Sequence, residues 1–183
     1  MKYLLFFVGV IFNAGYAQTK NDNLEIYLQV FSDDLRFGQN KHIDTLIIEE
    51  QKLNRNHIDL WRFEIDSIVS NRINTDSIFK SDMKNIIQNF EDQNTFKNDT
   101  LLSLNIYLKI LTRNEALELR KEDKNQIRSR FFIRLCKINY SGNLAALRYN
   151  YYCGGRCAGS DIIIFERIHG KWNVLTKVIL WIA

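Results

Sequence analysis

Two thiols four positions apart, Cys153 and Cys157, enclose Gly154-Gly155-Arg156, and no other spacing in the chain carries as much potential chemistry. If they flank a three-residue turn, their β-carbons come close enough for a disulfide. So short a loop removes little chain entropy, so that bond would mainly fix the turn. A reversible redox pair is the alternative. Arg156 between the thiols would favour a thiolate, although the C-x3-C spacing is not the C-x-x-C of a helix start. A pair of reduced thiols is the third possibility. Cys136 falls inside a strand-like run and reads as a buried, inert small hydrophobe. Cys136, Cys153, Cys157 and His169 would complete a zinc ligand set but lack paired knuckles, so no metal is expected. Tyr149 and Tyr151 share one face of the strand entering the loop, and Tyr152 takes the other. With Arg156 they form a candidate binding surface; the alternative is a tyrosine ladder packed under a helix.

The remaining reactive residue types have no catalytic setting. His42, His57 and His169 each flank a polar stretch, outside any His-x-x-x-His or Ser/His/Asp context, and read as surface histidines. There is no Gly-x-Ser-x-Gly elbow, Walker loop or dinucleotide fingerprint. Gly154-Gly155 reads as a turn because no helix follows it. Asp33-Asp34, Glu49-Glu50, Glu91-Asp92 and Glu122-Asp123 are adjacent pairs in polar surroundings and read as solvated faces or helix ends. No catalytic residue and no cofactor is therefore expected.

The first residues read as an export signal. Lys2 supplies a positive start, Tyr3 to Phe12 is apolar, and Asn13-Ala14-Gly15-Tyr16-Ala17 predicts cleavage after Ala17. The apolar run is about half the roughly 20 residues that span a bilayer. No cysteine follows it to carry a lipid, and Val174 to Ile182 is short and broken by Thr176 and Lys177. The expected product is one domain over residues 18–183, periplasmic or extracellular, with its thiols under oxidising conditions. Hydrophobic residues at 46% and aromatics at 13% indicate a folded chain. The net charge of +4 is uneven: from Phe131 onward seven Lys/Arg face two Asp/Glu, whereas residues 18–130 hold 17 and 19. A basic half attracts anionic partners. No dense Lys/Arg cluster stands out, which favours a solvated sheet face, and an exported chain is not expected to bind nucleic acid.

Helical spacing covers Asn23 to Phe37, Ile58 to Ile73 and Phe79 to Phe90, with Ser77 or Ser81 as the N-cap of the last. Thr112-Arg113-Asn114-Glu115 has capping-box spacing and predicts a helix start. Ile43 to Glu50 reads weakly as a strand, and Leu102 to Ile110 alternates strictly. Four further strands are predicted over Phe131–Tyr140, Leu144–Cys153, Ile162–Ile168 and Trp172–Ile182, with turns at Ser141-Gly142-Asn143 and His169-Gly170. The expected fold is α+β: helices mainly in the N-terminal half packed on a C-terminal antiparallel β-meander of about four to five strands. Phe79, Ile86, Phe90, Leu104, Ile106, Leu147, Ile164, Phe165, Trp172 and Val174 are the expected core.

The stretch from Ala145 to Ala183 carries Cys153-Gly154-Gly155-Arg156-Cys157, then Gly159, Ile162-Ile163-Ile164-Phe165-Glu166, Gly170-Lys171-Trp172 and Trp181-Ile182. This tail resembles that of uncharacterised secreted proteins of Bacteroidota-type bacteria. Ala158 stands where a second glycine commonly follows the cysteine, and Ala183 replaces a terminal serine. The resemblance implies secretion and a hairpin fold, and brings no activity with it. The function expected from these observations is a non-enzymatic binding or interaction module with a protein partner, an immunity-type protein against a periplasmic toxin being one form. A thiol-disulfide redox protein using Cys153 and Cys157 and a small hydrolase with an unrecognised site are the alternatives.

Overall fold

A computed structural model of the chain describes residues 20–32, 45–50, 55–56, 58–60, 65–88, 90–91, 107–122, 130–152 and 158–183. Helices are α1 (Lys20–Ser32), α2 (Ser67–Thr75), α3 (Ser77–Ile87) and α4 (Arg113–Glu122). Strands are β1 (Thr45–Glu50), β2 (Arg55–Asn56), β3 (Phe90–Glu91), β4 (Tyr107–Thr112), β5 (Arg130–Leu135), β6 (Asn139–Ser141), β7 (Leu144–Tyr152), β8 (Ala158–Ile168) and β9 (Lys171–Ile182). The residues of the expected cleavage signal, His42, His57, Leu104, Ile106, and residues 153–157 with Cys153, Arg156 and Cys157 lie outside the described residues.

The α+β class is as expected, but the sheet is larger and of different topology. It has seven strands in the order β4-β1-β5-β7-β8-β9, with β6 on β7. Its C-terminal part is the expected antiparallel meander. Its other part is parallel: β1 lies between β4 and β5 and runs parallel to both. Parallel neighbours cannot be joined by a hairpin and need a crossover. Helix α4, directly after β4, lies in the connection from β4 to β5, the two strands that flank β1. The capping box is formed there: the Glu115 carboxylate accepts from the Thr112 backbone N–H at 2.8 Å and from its hydroxyl at 2.7 Å.

The two sides of the sheet are covered by different helices. On one side Ile26, Tyr27 and Val30 of α1 pack with Leu147, Tyr149, Tyr151, Ile163, Phe165 and Trp172. On the other, Val69 and Ile73 of α2 and Phe79, Met83 and Ile86 of α3 cover Leu144, Ala146, Ile162 and Ile164. A third cluster joins Ala116 and Leu119 of α4 to Ile47, Phe132 and Tyr152. The β7 alternation puts Tyr152 on the same side as Leu144 and Ala146. Helix α4 and the α2–α3 pair therefore occupy one side of the sheet, above opposite ends of β7.

Several boundaries differ from the sequence-based expectation. The helix expected from Ile58 begins at Ser67, where the Asp66 carboxylate accepts from the Ile68 N–H at 2.8 Å. The α3 cap is Asp76 rather than a serine, accepting from Ile78 and Phe79 N–H at 2.9 and 3.0 Å. The strand expected over Phe131–Tyr140 is broken after Cys136. Val174 is 37% exposed because β9 is an outer strand and α1 covers only its start, around Trp172. The β8–β9 turn forms at His169 and Gly170, with φ of 51° and 81°, the paired positive values of a tight hairpin.

Candidate functional site

Strand β7 shows how the chain opens a site between two helical layers. Its side facing α3 and α4 carries Leu144, Ala146, Arg148, Asn150 and Tyr152 in turn. The first two lie under α2–α3 and the last under α4. Arg148 and Asn150 fall between, where none of the described helices sits on the sheet, and they are half-buried. Neighbouring strands extend this polar strip. Arg134 on β5 pairs with Asn150, and Ser160 on β8 pairs with it from the other side.

The result is a groove of about 340 Å³ with Glu49, Arg120, Arg134, Arg148 and Asn150 among its polar lining. Phe132, Tyr151, Tyr152 and Trp181 supply its aromatic lining, and Ala158 lines it as well. Three elements each contribute one guanidinium: α4 gives Arg120, β5 gives Arg134 and β7 gives Arg148. Arg120 also lies over the rings of Phe132 and Tyr152, 4.7 and 4.9 Å from their centroids, a cation–π seat that fixes its plane.

Glu49 organises this charge. Its side chain is only 2% exposed, and it accepts from Arg120 through Oε1 and from Arg134 through Oε2, the latter at 2.9 Å. The expectation that Glu49-Glu50 forms a solvated face is corrected for Glu49. A strand with parallel neighbours on both sides is covered on both faces, so the carboxylate on the Ile47 side is buried. Burial first, and the charge of Arg134 second, draw the Arg120 pKa below its ordinary value. A guanidinium nevertheless stays protonated in water. The Nε atoms of Arg120 and Arg134 are buried with no hydrogen-bond partner. Arg148 Nε donates to Ser160 Oγ at 3.3 Å. Lining residues thus carry three guanidiniums against one carboxylate.

A second recess, of about 300 Å³, is lined by Arg72, Asp82 and Glu166 among others. It has no comparable surplus. Arg72 forms a two-point pair with Glu166, both bonds at 2.8 Å, and stacks on Phe79 at 4.0 Å.

The residues singled out from sequence fall as follows. Tyr149 and Tyr151 are 1% and 4% exposed, in the cluster beneath α1. Tyr149 donates its hydroxyl proton to Asp161 at 3.0 Å, and Lys177 reaches the same carboxylate oxygen at 2.9 Å. Tyr152, on the other side of the strand, lines the groove; Tyr151 also belongs to the lining, and Tyr149 does not. Cys136 is buried at 1% on the α2–α3 side, and His169 is exposed at its turn. Cys153, Cys157 and Arg156 lie outside the described residues, but the residues flanking them, Tyr152 and Ala158, both line the groove. The three groove arginines escaped the sequence because they are 14 positions apart in each step and belong to a helix and two strands. Arg134 and Arg148, each a charge inside a strand-like run that is otherwise largely apolar, left a local signal.

Comparison of the chain with protein-family models, with curated proteins and with solved structures found no match.

Proposed function

We propose that this chain is an exported binding module that acts by recognising an anionic group in the arginine groove rather than by catalysis. One observation carries the proposal: three guanidiniums line one recess together with a single carboxylate. Charge-assisted bonds from arginine to carboxylate or phosphate are among the stronger polar contacts available to a protein. The aromatic walls would hold the apolar body that carries the anion. Of the residues that carry the resemblance to secreted Bacteroidota-type proteins, Trp181 belongs to the lining.

Calorimetric titration of the mature chain with benzoate and with phenyl phosphate tests this. Saturable one-to-one binding of at least one probe is expected, weakening as salt is raised. Arg148→Gln, which leaves the Glu49 pairs intact, should weaken that binding about tenfold or more, as expected for loss of a charge-assisted bond. Heats that never saturate with either probe would overturn the proposal.

A further inference from the structure

Resting on that reading of the groove, we infer that its ligand is a phosphomonoester dianion on a small aromatic or apolar body. The charge count selects the class. Glu49 offsets one of the three guanidiniums and leaves a surplus of two positive charges among the lining side chains. Arg120 and Arg134 are only 23% and 25% exposed, so water screens the surplus incompletely. A singly charged ligand leaves one guanidinium uncompensated, and a partly desolvated charge without a partner is unfavourable. A phosphomonoester carries close to two negative charges above its second pKa of about 6. Sulfate esters, carboxylates and phosphodiesters each carry one.

Geometry points the same way. The guanidiniums come from a helix and two different strands, so they do not form the single fork that matches one planar carboxylate. Donors approaching from separate directions suit a tetrahedral group with three terminal oxygens. Glu49 then acts as an internal strut that holds Arg120 and Arg134 through their Nη2 atoms. A volume near 340 Å³ is at the small end for ligand pockets, which run from roughly 300 Å³ upward. That size fits a phosphorylated ring.

Titration with three probes at about pH 8, where a phosphomonoester is doubly ionised, decides the class. Phenyl phosphate should bind about tenfold or more tighter than phenyl sulfate, which has the same tetrahedral shape and one charge fewer, and tighter than benzoate; such a ratio is roughly 1.4 kcal/mol. The preference should collapse at about pH 5, where phenyl phosphate has regained a proton. In Arg148→Gln, checked for folding by circular dichroism, phosphate and sulfate should bind alike. Equal affinity for phosphate and sulfate in the wild type, or benzoate binding tightest, overturns the dianion assignment while leaving an anion groove. Failure of all three probes overturns the groove reading itself. The wild-type comparison stands even if the variant does not fold. A parallel arm asks whether phosphatidylcholine vesicles containing phosphatidic acid compete with phenyl phosphate. Competition assigns the same monoester chemistry to a lipid headgroup, and its absence assigns it to a free ester.

Discussion

Glu49 is the residue on which the groove's order depends. It is buried between two guanidiniums that would otherwise repel each other across the recess. Removing one partner of a buried ion pair costs more than the pair contributes, because it strands the other charge. Glu49→Ala should therefore destabilise the fold by about 2–4 kcal/mol, scaled down from a fully buried pair because both arginines keep some solvent contact. Urea denaturation of both chains measures this, and an unchanged midpoint would show that Glu49 is not a strut. The sequence offered no hint of the role. A Glu-Glu pair at the end of a short apolar run looks solvated until parallel strands on either side are known to bury it. Tyr149 and Tyr151 show the converse. Their common face was legible from alternation, but only the position of α1 decides that the face is inside.

At the scale of elements, two caps carry clear expectations. Asp76 ends α2, where its backbone N–H donates to Arg72 O at 2.8 Å, and starts α3, where its carboxylate caps two N–H groups. Asp76→Ala should lower stability by about 1–2 kcal/mol, the usual cost of losing an N-cap, and Asp76→Asn should lose much less; thermal melts of the two variants compare them. The Thr112–Glu115 box holds the Glu115 carboxyl below its ordinary pKa, chiefly through the Thr112 hydroxyl and then its backbone N–H. A folded-state pKa below the unfolded one means the stabilisation is complete above the ordinary carboxylate range. It is lost as pH falls through the depressed value. Wild type should accordingly lose stability relative to Glu115→Gln as pH is lowered through that range, and parallel stability–pH curves would refute the box. This capping box was readable from four consecutive residues because both of its bonds are local. The parallel pairing it introduces was not, because β1 joins β4 and β5 across long sequence separations. Nothing in Thr45–Glu50 itself states which strands will flank it.

For the molecule as a whole, the C-terminal meander and the helical first half were legible because hairpin turns and amphipathic spacing are local signals. The groove arises only when a helix pair and a crossover helix sit at opposite ends of one side of the same sheet, with a polar strip between them that none of the described helices covers. Among the described residues no helix is long and apolar enough to cross a membrane. The charge excess noted in the sequence from Phe131 onward includes Arg134 and Arg148, which the fold brings together with Arg120 from the other half.

The most direct test of the anion groove follows the side-chain Nε–Hε signals of Arg120 and Arg134 by NMR while phenyl phosphate is added to the chain. Both signals should shift together and saturate at one midpoint, and in Arg148→Gln that midpoint should move to about tenfold or more higher phosphate. If both remain unmoved in the folded wild type up to millimolar phosphate, an affinity weaker than about −4 kcal/mol, the groove is not an oxyanion site.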